Sequence, residues 1–365
     1  MKKRISTFLT MFLLVFLLGL NVCAASPVAQ IGSKKYTSLE KAFSAVKKGQ
    51  TITLKKNTTI NGDLKIKLGK KSATLNLNKK KLTVKGSFNL YSGTLTISGN
   101  GNLTAKQIKN AGTLTLKNGT VNGSVVNSGK FTMDNGTLNY SKDLMYAIYA
   151  KGGTVTINKG TVNYKRHFVS YEDGNRTPET TNGAAIIATG KSKVTVNGGK
   201  IVSSSETIMT KEDCKANIIL NNGTFLSTSG GCIAHMGGTI AINGGNYTIK
   251  SIKGGWGFAY VYGNCTLNIK GGNIKSQWSL VETYSERSKA NISGGTLTTT
   301  MSGESGSSTM LIAFNGKINV TGGKFVAKNK AYAYWKTPDA GSIKVSKKVK
   351  MPTPNLWKKT ADVCA

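Results

Sequence analysis

The sequence predicts an all-β protein folded as a parallel β-solenoid, because one short phrase recurs along most of its length. Val155-Thr-Ile157-Asn-Lys-Gly160-Thr-Val162 is one copy. Alternation of apolar and polar residues predicts a strand, and the asparagine and glycine that follow predict a tight turn with one residue at positive φ. Further copies begin at Leu75, Leu95, Leu114, Phe131, Val194, Ile218, Ile240, Leu267, Ala290 and Ile318.

The spacing of these copies matches the coils of a solenoid. The glycines that close successive phrases lie mostly 17 to 28 residues apart, which is the length of one coil with two or three short strands. About 12 coils, each adding one strand spacing, would form a rod roughly 55–60 Å long. Apolar residues should then stack inside the rod, with threonines such as Thr115, Thr132, Thr156 and Thr195 outside.

Asparagine shares one slot after the second apolar residue of several copies. We interpret this slot as an inward ladder whose side chains bond to the backbone along the rod, rather than as a ligand site. The slot contains Asn78, Asn158, Asn197, Asn221 and Asn243.

The chain begins with a segment that reads as a secretory signal peptide over residues 1–24. A charged start precedes the apolar run Phe8–Leu20, and small residues surround Cys23. A retained membrane anchor or a lipidated Cys23 are the alternatives. We therefore expect a secreted or cell-surface-associated protein with one solenoid domain over residues 25–365. Its last part, about 346–365, should be an irregular strap.

A short helix should cap the solenoid at its N-terminal end, over about residues 37–48. Thr37 and Glu40 fit a capping box, and Gly49 follows as a stop signal. One apolar face of this helix should lie across the first coil. That face is formed by Leu39, Ala42, Phe43 and Val46.

On these features the chain resembles the secreted bacterial right-handed parallel β-helix proteins of the pectin-lyase-like fold. The resemblance covers most of residues 35–345 and rests on the cap helix, the strand ending Ile52-Thr-Leu54 and the Gly-Gly turns. It implies right-handed coils. The class includes polysaccharide lyases, glycoside hydrolases and adhesins, so the fold alone does not determine the function.

Charge indicates an anionic partner. The chain has 50 lysines and arginines against 15 acidic residues, a net charge of +35. Outside the leader the arginines are Arg166, Arg176 and Arg287, and every other basic residue is lysine. Lysine is a point charge that does not read bases. We therefore expect an anionic polysaccharide, teichoic acid or host glycan as partner, and no specific nucleic acid. Alternatively, the lysines are only solvated strand positions that discourage aggregation.

Four cysteines follow the predicted leader and allow either two disulfides or buried free thiols. They are Cys214, Cys232, Cys265 and Cys364. Their spacing suggests no zinc site, and we expect no cofactor and no metal.

One long insertion between Gly160 and Gly199 interrupts the repeat and holds the densest group of ionisable side chains. As a binding loop it would use Arg166, His167, Tyr171, Glu172, Asp173 and Arg176. If the protein is an enzyme, a base and a cation for a sugar carboxylate would come from Lys165, Arg166, His167 and Arg176. The alternative is a solvated loop whose charges pair with one another.

Aromatic residues form a second candidate site on the later coils, since rings on a flat sheet can stack on sugars. The binding residues we select are Trp256, Tyr260, Tyr262 and Trp278. They belong to a wider column in which about half of the members should be core. That column also holds Tyr149, His235, Tyr284, Phe314 and Trp335, with His235 expected to be structural.

The favoured function is a non-catalytic, adhesin-like rod that binds anionic glycans. A polysaccharide lyase or glycoside hydrolase is the alternative. Enzymes of the resembled class cluster their carboxylates, and glycoside hydrolysis generally uses a pair. Here Asp63, Asp134 and Asp143 are scattered. A purely structural surface protein is a third reading, and the sequence leaves the oligomeric state open.

Overall fold

In the computed structural model the chain forms an all-β parallel solenoid of about 11 turns. The structure describes residues 26–142, 144–165, 183–228, 230–250, 257–300, 309–328, 332–337 and 340–352. Its 35 strands belong to one continuous sheet that winds around the rod. Each coil has three strands, so the rod has three faces.

Face 1 carries the repeated phrase, and its strands pair in parallel from coil to coil. Its strands are Gln50–Leu54, the second part of Leu64–Asn76, the second part of Phe88–Ser98, Thr113–Leu116, Lys130–Met133, Thr154–Ile157, Lys193–Val196, Asn217–Leu220, Gly238–Ile242, Cys265–Ile269, Lys289–Ile292, Lys317–Val320 and Ser342–Val345.

Face 2 follows each phrase after a glycine turn. Its strands are Thr58–Ile60, Lys81–Val84, the first part of Asn102–Asn110, the first part of Thr120–Asn127, Thr137–Tyr140, Thr161–Tyr164, Lys200–Ser203, Thr224–Ser227, Asn246–Ile249, Asn273–Ser276, Thr296–Thr299 and Lys324–Ala327.

Face 3 closes each coil and leads back to face 1. It consists of the first parts of Leu64–Asn76 and Phe88–Ser98, the second parts of Asn102–Asn110 and Thr120–Asn127, then Tyr146–Lys151, Ala184–Thr189, Glu206–Thr210, Ile233–His235, Ala259–Val261, Val281–Thr283, Thr309–Ala313 and Tyr332–Lys336.

The alternation predicted from the sequence places the apolar residues inside and the threonines outside. Ile157 pairs with Val196, which pairs with Leu220 on the next coil, and all three are buried. Thr156 pairs with Thr195 on the outer surface. One alignment was wrong: Leu75 pairs with Ile97 rather than with Leu95, because the first phrase is displaced by two residues.

The glycines take the backbone conformation that the turns require. Gly199 has a φ of +85°, and a Cβ there would lie 2.7 Å from the carbonyl oxygen of Gly160 on the preceding coil. The turn therefore requires glycine for two reasons: the positive φ would strain any other residue, and a Cβ would collide with the backbone of the preceding coil.

The asparagine ladder exists, but its predicted direction was wrong. Its amides lie on the surface and bond to one another: the Nδ2 group of Asn197 donates to Oδ1 of Asn158 (2.9 Å), and Asn221 donates to Asn197 (2.8 Å). Asn243 continues the ladder on the later side. Asp134 accepts from Asn158 and begins it. The slot is outward because it follows an inward residue by one position.

Asn78 does not belong to this ladder. Its backbone has a φ of +49°, and its side chain donates to the carbonyl oxygen of Leu54 (3.2 Å). Two asparagines elsewhere do lie inside the rod. The Nδ2 group of Asn110 donates to Oδ1 of Asn127 (2.7 Å), and both side chains also bond to backbone carbonyls. An inward pair of asparagines thus exists, but not at the slot for which the ladder was predicted.

A seven-residue helix, α1 (Leu39–Ala45), precedes the first coil and packs against the strand Leu64–Asn76. The predicted capping box at Thr37 was wrong by one residue. Ser38 is the N-cap, with extended backbone and a side chain that accepts the N–H of Lys41. The four predicted apolar residues are buried. In the described part of the chain no helix is long and apolar enough to cross a bilayer.

Three glycine substitutions should separate backbone strain from contact. Gly199→Ala should lower the denaturation midpoint most, because φ is positive and the Cβ meets a carbonyl. Gly152→Ala has the same φ problem (+77°) but open space around the Cβ, so it should cost only about 1–2 kcal/mol. Gly62→Ala, with neither constraint, should change little. If Gly199→Ala and Gly152→Ala had equal midpoints in urea denaturation, the contact between a Cβ at position 199 and the carbonyl oxygen of Gly160 would have no energetic cost, contrary to this prediction.

Candidate functional site

Most of the residues predicted for the insertion lie outside the described residues. The insertion residues outside them are Arg166, His167, Tyr171, Glu172, Asp173 and Arg176, and the predicted binding residue Trp256 also lies outside them. Lys165 is described: it is exposed at the end of the face 2 strand Thr161–Tyr164. The predicted catalytic and binding roles of this loop stay predictions.

The aromatic column resolves into neighbouring rows on face 3. Tyr149 and Tyr260 share the central outward row. Tyr262, Tyr284 and Phe314 stack in the next row, with ring centroids 4.4 and 4.6 Å apart. These three rings are half-buried, whereas Tyr260 is 3% exposed. Tyr284, the middle ring, is stacked on both of its faces and so has no face left for a sugar.

Trp278, the other tryptophan selected from the sequence, lies outside the strands of face 3. It lies half-buried in the turn between face 2 and face 3. Its backbone N–H bonds to Oγ of Ser276 (3.1 Å), and its carbonyl accepts a hydrogen bond from Oγ1 of Thr299 (3.0 Å). Trp278 therefore lies in a turn, whereas Tyr260 lies on a face 3 strand.

A buried carboxylate, Glu282, lies beside the stacked rings, and the sequence analysis missed it. It accepts hydrogen bonds from the hydroxyls of Ser279 and Tyr284. Burial raises the pKa of Glu282, and these two hydrogen bonds offset only part of that effect. The burial of Tyr260 itself raises the pKa of its hydroxyl, and the Glu282 charge raises it further. The strand register places Glu282 one coil beyond Tyr260. Aligning the repeats on face 3 would have shown this pairing in the sequence.

The other buried carboxylate on this face, Glu206, is three strands away from Glu282. At one strand spacing per coil, their backbones are separated by about 14 Å along the rod. Both carboxylates nevertheless raise the pKa of Tyr260, Glu282 more than Glu206, so their side chains converge on that ring from opposite sides along the rod. Among the described residues no group of three or more metal-ligating side chains is gathered at one place.

The earliest coils of face 3 carry positive charge instead of aromatic rows. Lys65 pairs with Asn89, and Asn89 pairs with Lys109 on the next coil. Both lysines are exposed at the centre of the face. The pKa of Asp63 is lowered first by a hydrogen bond from the N–H of Ser87, and further by Asn89, Lys109 and Lys65. We call Lys65, Lys67, Asn89, Tyr91, Gln107 and Lys109 the basic patch.

Aromatic and amide groups lie within and beside the basic patch. Nε2 of Gln107 donates to the hydroxyl of Tyr146 (3.3 Å), whose ring stacks on Tyr149 at 4.9 Å. Nζ of Lys67 lies 5.7 Å from the ring centroid of Tyr91. Cations, an amide and rings on one flat face can together bind a ligand that has anionic groups, hydroxyls and sugar rings.

His235 is structural, as predicted. It is fully buried in an inward row, and both ring nitrogens are bonded. Oγ1 of Thr210 already accepts the N–H groups of Met236 and Gly237, so its hydroxyl donates to Nδ1. Nε2–H donates to the carbonyl oxygen of Thr266 (3.1 Å). Desolvation lowers the pKa of His235 to about 4.

The three described cysteines are buried free thiols, the second of the two alternatives from the sequence. Burial raises the pKa of Cys232 and of Cys265 to about 12. Neither thiol is therefore activated as a nucleophile. Cys364 lies outside the described residues.

Comparisons with protein-family models, with curated proteins and with solved structures found no match to this chain. The class that the structure defines is therefore the parallel β-solenoid.

His235 should make the protein less stable in acid. In the unfolded chain it binds a proton near pH 6.5, but in the folded state only near pH 4. Stability is therefore full above pH 6.5 and falls by up to about 1.4 kcal/mol per pH unit between these values. Urea denaturation of wild type and His235→Gln from pH 7 to 4.5 measures this. In His235→Gln the free energy of unfolding should fall less steeply between pH 6.5 and 4.5 than in wild type. If the two proteins showed parallel pH profiles, His235 would not be the cause of the acid sensitivity.

Proposed function

We propose that this protein is a secreted, non-catalytic rod that binds anionic glycans through the basic patch on face 3. The observation that carries the proposal is the convergence of Lys65, Lys67 and Lys109 with Tyr91 and Gln107 on one outer face. The partner class is an anionic polysaccharide, a teichoic acid or a host glycan, and the role of the rod would be adhesin-like.

Long-range attraction comes from the whole chain and local binding from the patch. Without the three basic residues of the predicted leader, Lys2, Lys3 and Arg4, the chain has 47 basic and 15 acidic residues, and this net charge of +32 raises the concentration of any polyanion near the surface. At the patch, Lys65 and Lys109 are exposed, two coils apart on the same row. That separation is about 10 Å at one strand spacing per coil. A polymer lying along the rod would therefore meet both charges at once.

The lyase or hydrolase alternative has weaker support. Lys165 is the one member of its predicted catalytic group among the described residues, and it lies on face 2. Glu282 has the raised pKa of a general acid. Its two hydrogen bonds from Ser279 and Tyr284, however, account for the carboxylate without a substrate.

Removing two patch charges should weaken polyanion binding. We expect Lys65→Gln with Lys109→Gln to reduce the affinity for polygalacturonate by roughly tenfold at low ionic strength, about 0.7 kcal/mol per lysine. The matched control, Lys200→Gln with Lys324→Gln, removes the same charge from exposed positions of face 2. Calorimetry at low and high salt measures both, and equal losses would show that only net charge matters.

Secretion has its own test. Expressed in a bacterial host with residues 1–24 present, the protein should appear outside the cytoplasm with a new N-terminus after Ala24. Mass spectrometry of the exported protein identifies that terminus. An intact Met1 in the cytoplasmic fraction would contradict the signal-peptide hypothesis.

A further inference from the structure

A groove of about 480 Å³ runs along the corner between face 3 and face 1, beside the basic patch. We propose that this groove is a subsite for one anionic sugar ring of the bound polymer, stacked on Tyr91. The inference rests on the proposed function and narrows its ligand from polyanions in general to polymers that carry their charge on sugar rings. The volume is within the range of small-ligand sites.

Tyr91 is the residue that points to a sugar. It is 47% exposed and is the one large hydrophobic side chain that is exposed among the described residues. Every other large apolar group in that part of the chain is at least partly covered, so this ring is a departure that the fold does not require. Lys67 stands over the ring at 5.7 Å and adds a cation where an anionic sugar would stack.

Backbone, rather than side chains, forms the floor of the groove. A Cβ at Gly112 would lie 2.6 Å from the carbonyl oxygen of Gly93, and one at Gly129 would lie 2.1 Å from that of Gly112. Successive coils therefore pack too closely here for any side chain. Tyr91 lines the same groove and is 47% exposed, so a flat sugar ring can lie against it.

Lysines stand at both ends of the groove. Lys70 and Lys130 are exposed and line it. The register places them three coils apart, about 14 Å along the rod. A carboxylate on a ring stacked at Tyr91, or on its neighbours in the polymer, would lie between two cations.

A second groove on the same corner provides an internal comparison. It has a volume of about 530 Å³ and is lined by Asp213, Lys215, Cys214 and Cys265, among others. It has an acidic group and no aromatic side chain. The second groove thus has a similar size but lacks both the aromatic ring and the pair of lysines, which assigns the anionic sugar ring to the groove beside Tyr91.

The test compares a sugar polyanion with a polyanion that has no rings. Tyr91→Leu should weaken binding to polygalacturonate about three- to tenfold, and should leave binding to polyphosphate within about twofold of wild type. Tyr91→Phe keeps the ring and should restore polygalacturonate binding. Tyr36→Leu is the matched control, because Tyr36 also has a lysine over its ring, Lys34 at 5.8 Å. Tyr36 lies away from the groove, in an antiparallel hairpin formed by the strands Ala29–Ile31 and Lys34–Tyr36 before the first coil.

The outcomes separate the two proposals. Wild type that binds neither polymer at low salt would overturn the proposed function and this subsite with it. Wild type that binds both, with Tyr91→Leu equally weakened toward both or toward neither, would overturn the subsite alone. Circular dichroism confirms that each variant keeps its β structure.

Discussion

The parallel hydrogen bonding of each coil to the next is the constraint on which everything else in this molecule depends. It places every residue directly above its counterpart one strand spacing away. A residue type repeated in the sequence therefore becomes a row in space. The apolar rows form the core, the glycine rows form the corners, and the asparagine rows form ladders. Function must arise from rows that change their character along the rod.

The central row of face 3 changes in this way. It begins with lysine and asparagine at Lys65 and Asn89, and it becomes aromatic and acidic at Tyr260 and Glu282. On the early coils Lys65 and Lys109 are exposed to solvent on either side of the buried Asn89, but at Tyr260 the row is buried although it points away from the core. The same fold thus presents a charged surface at one end and a second packed layer at the other.

Alternation and glycine spacing were sufficient to predict the coils, because both are local and repeat many times. The predicted strands at Ile52–Leu54 and Ile343–Val345 are present. The repeated asparagine alone did not predict whether the ladder faces inward or outward, because an asparagine side chain can bond either to backbone or to the next asparagine in the row. One residue of offset decides which face of the strand it occupies. The N-cap failed for a similar reason, because Thr37 and Ser38 are both good capping residues.

The candidate site was harder to predict than the fold. Single residues such as Tyr91 and Glu282 carry no periodic signal. Their importance depends on which residues lie one coil away, so it emerged only when the register was known. The insertion between Gly160 and Gly199 attracted the prediction instead, because ionisable residues are dense there along the chain. Density in sequence and proximity on a solenoid face are different quantities.

The surface asparagine ladder contains side chains that are prone to slow hydrolysis to aspartate. Asn197 and Asn243 are each followed by glycine, the dipeptide at which asparagine side chains hydrolyse most readily. Each of these amides donates to the asparagine of the preceding coil. Conversion to aspartate would replace that donor with an acceptor and would add negative charge to a row of closely spaced polar groups. Chemical damage at one rung would thus remove a bond between two coils of the rod.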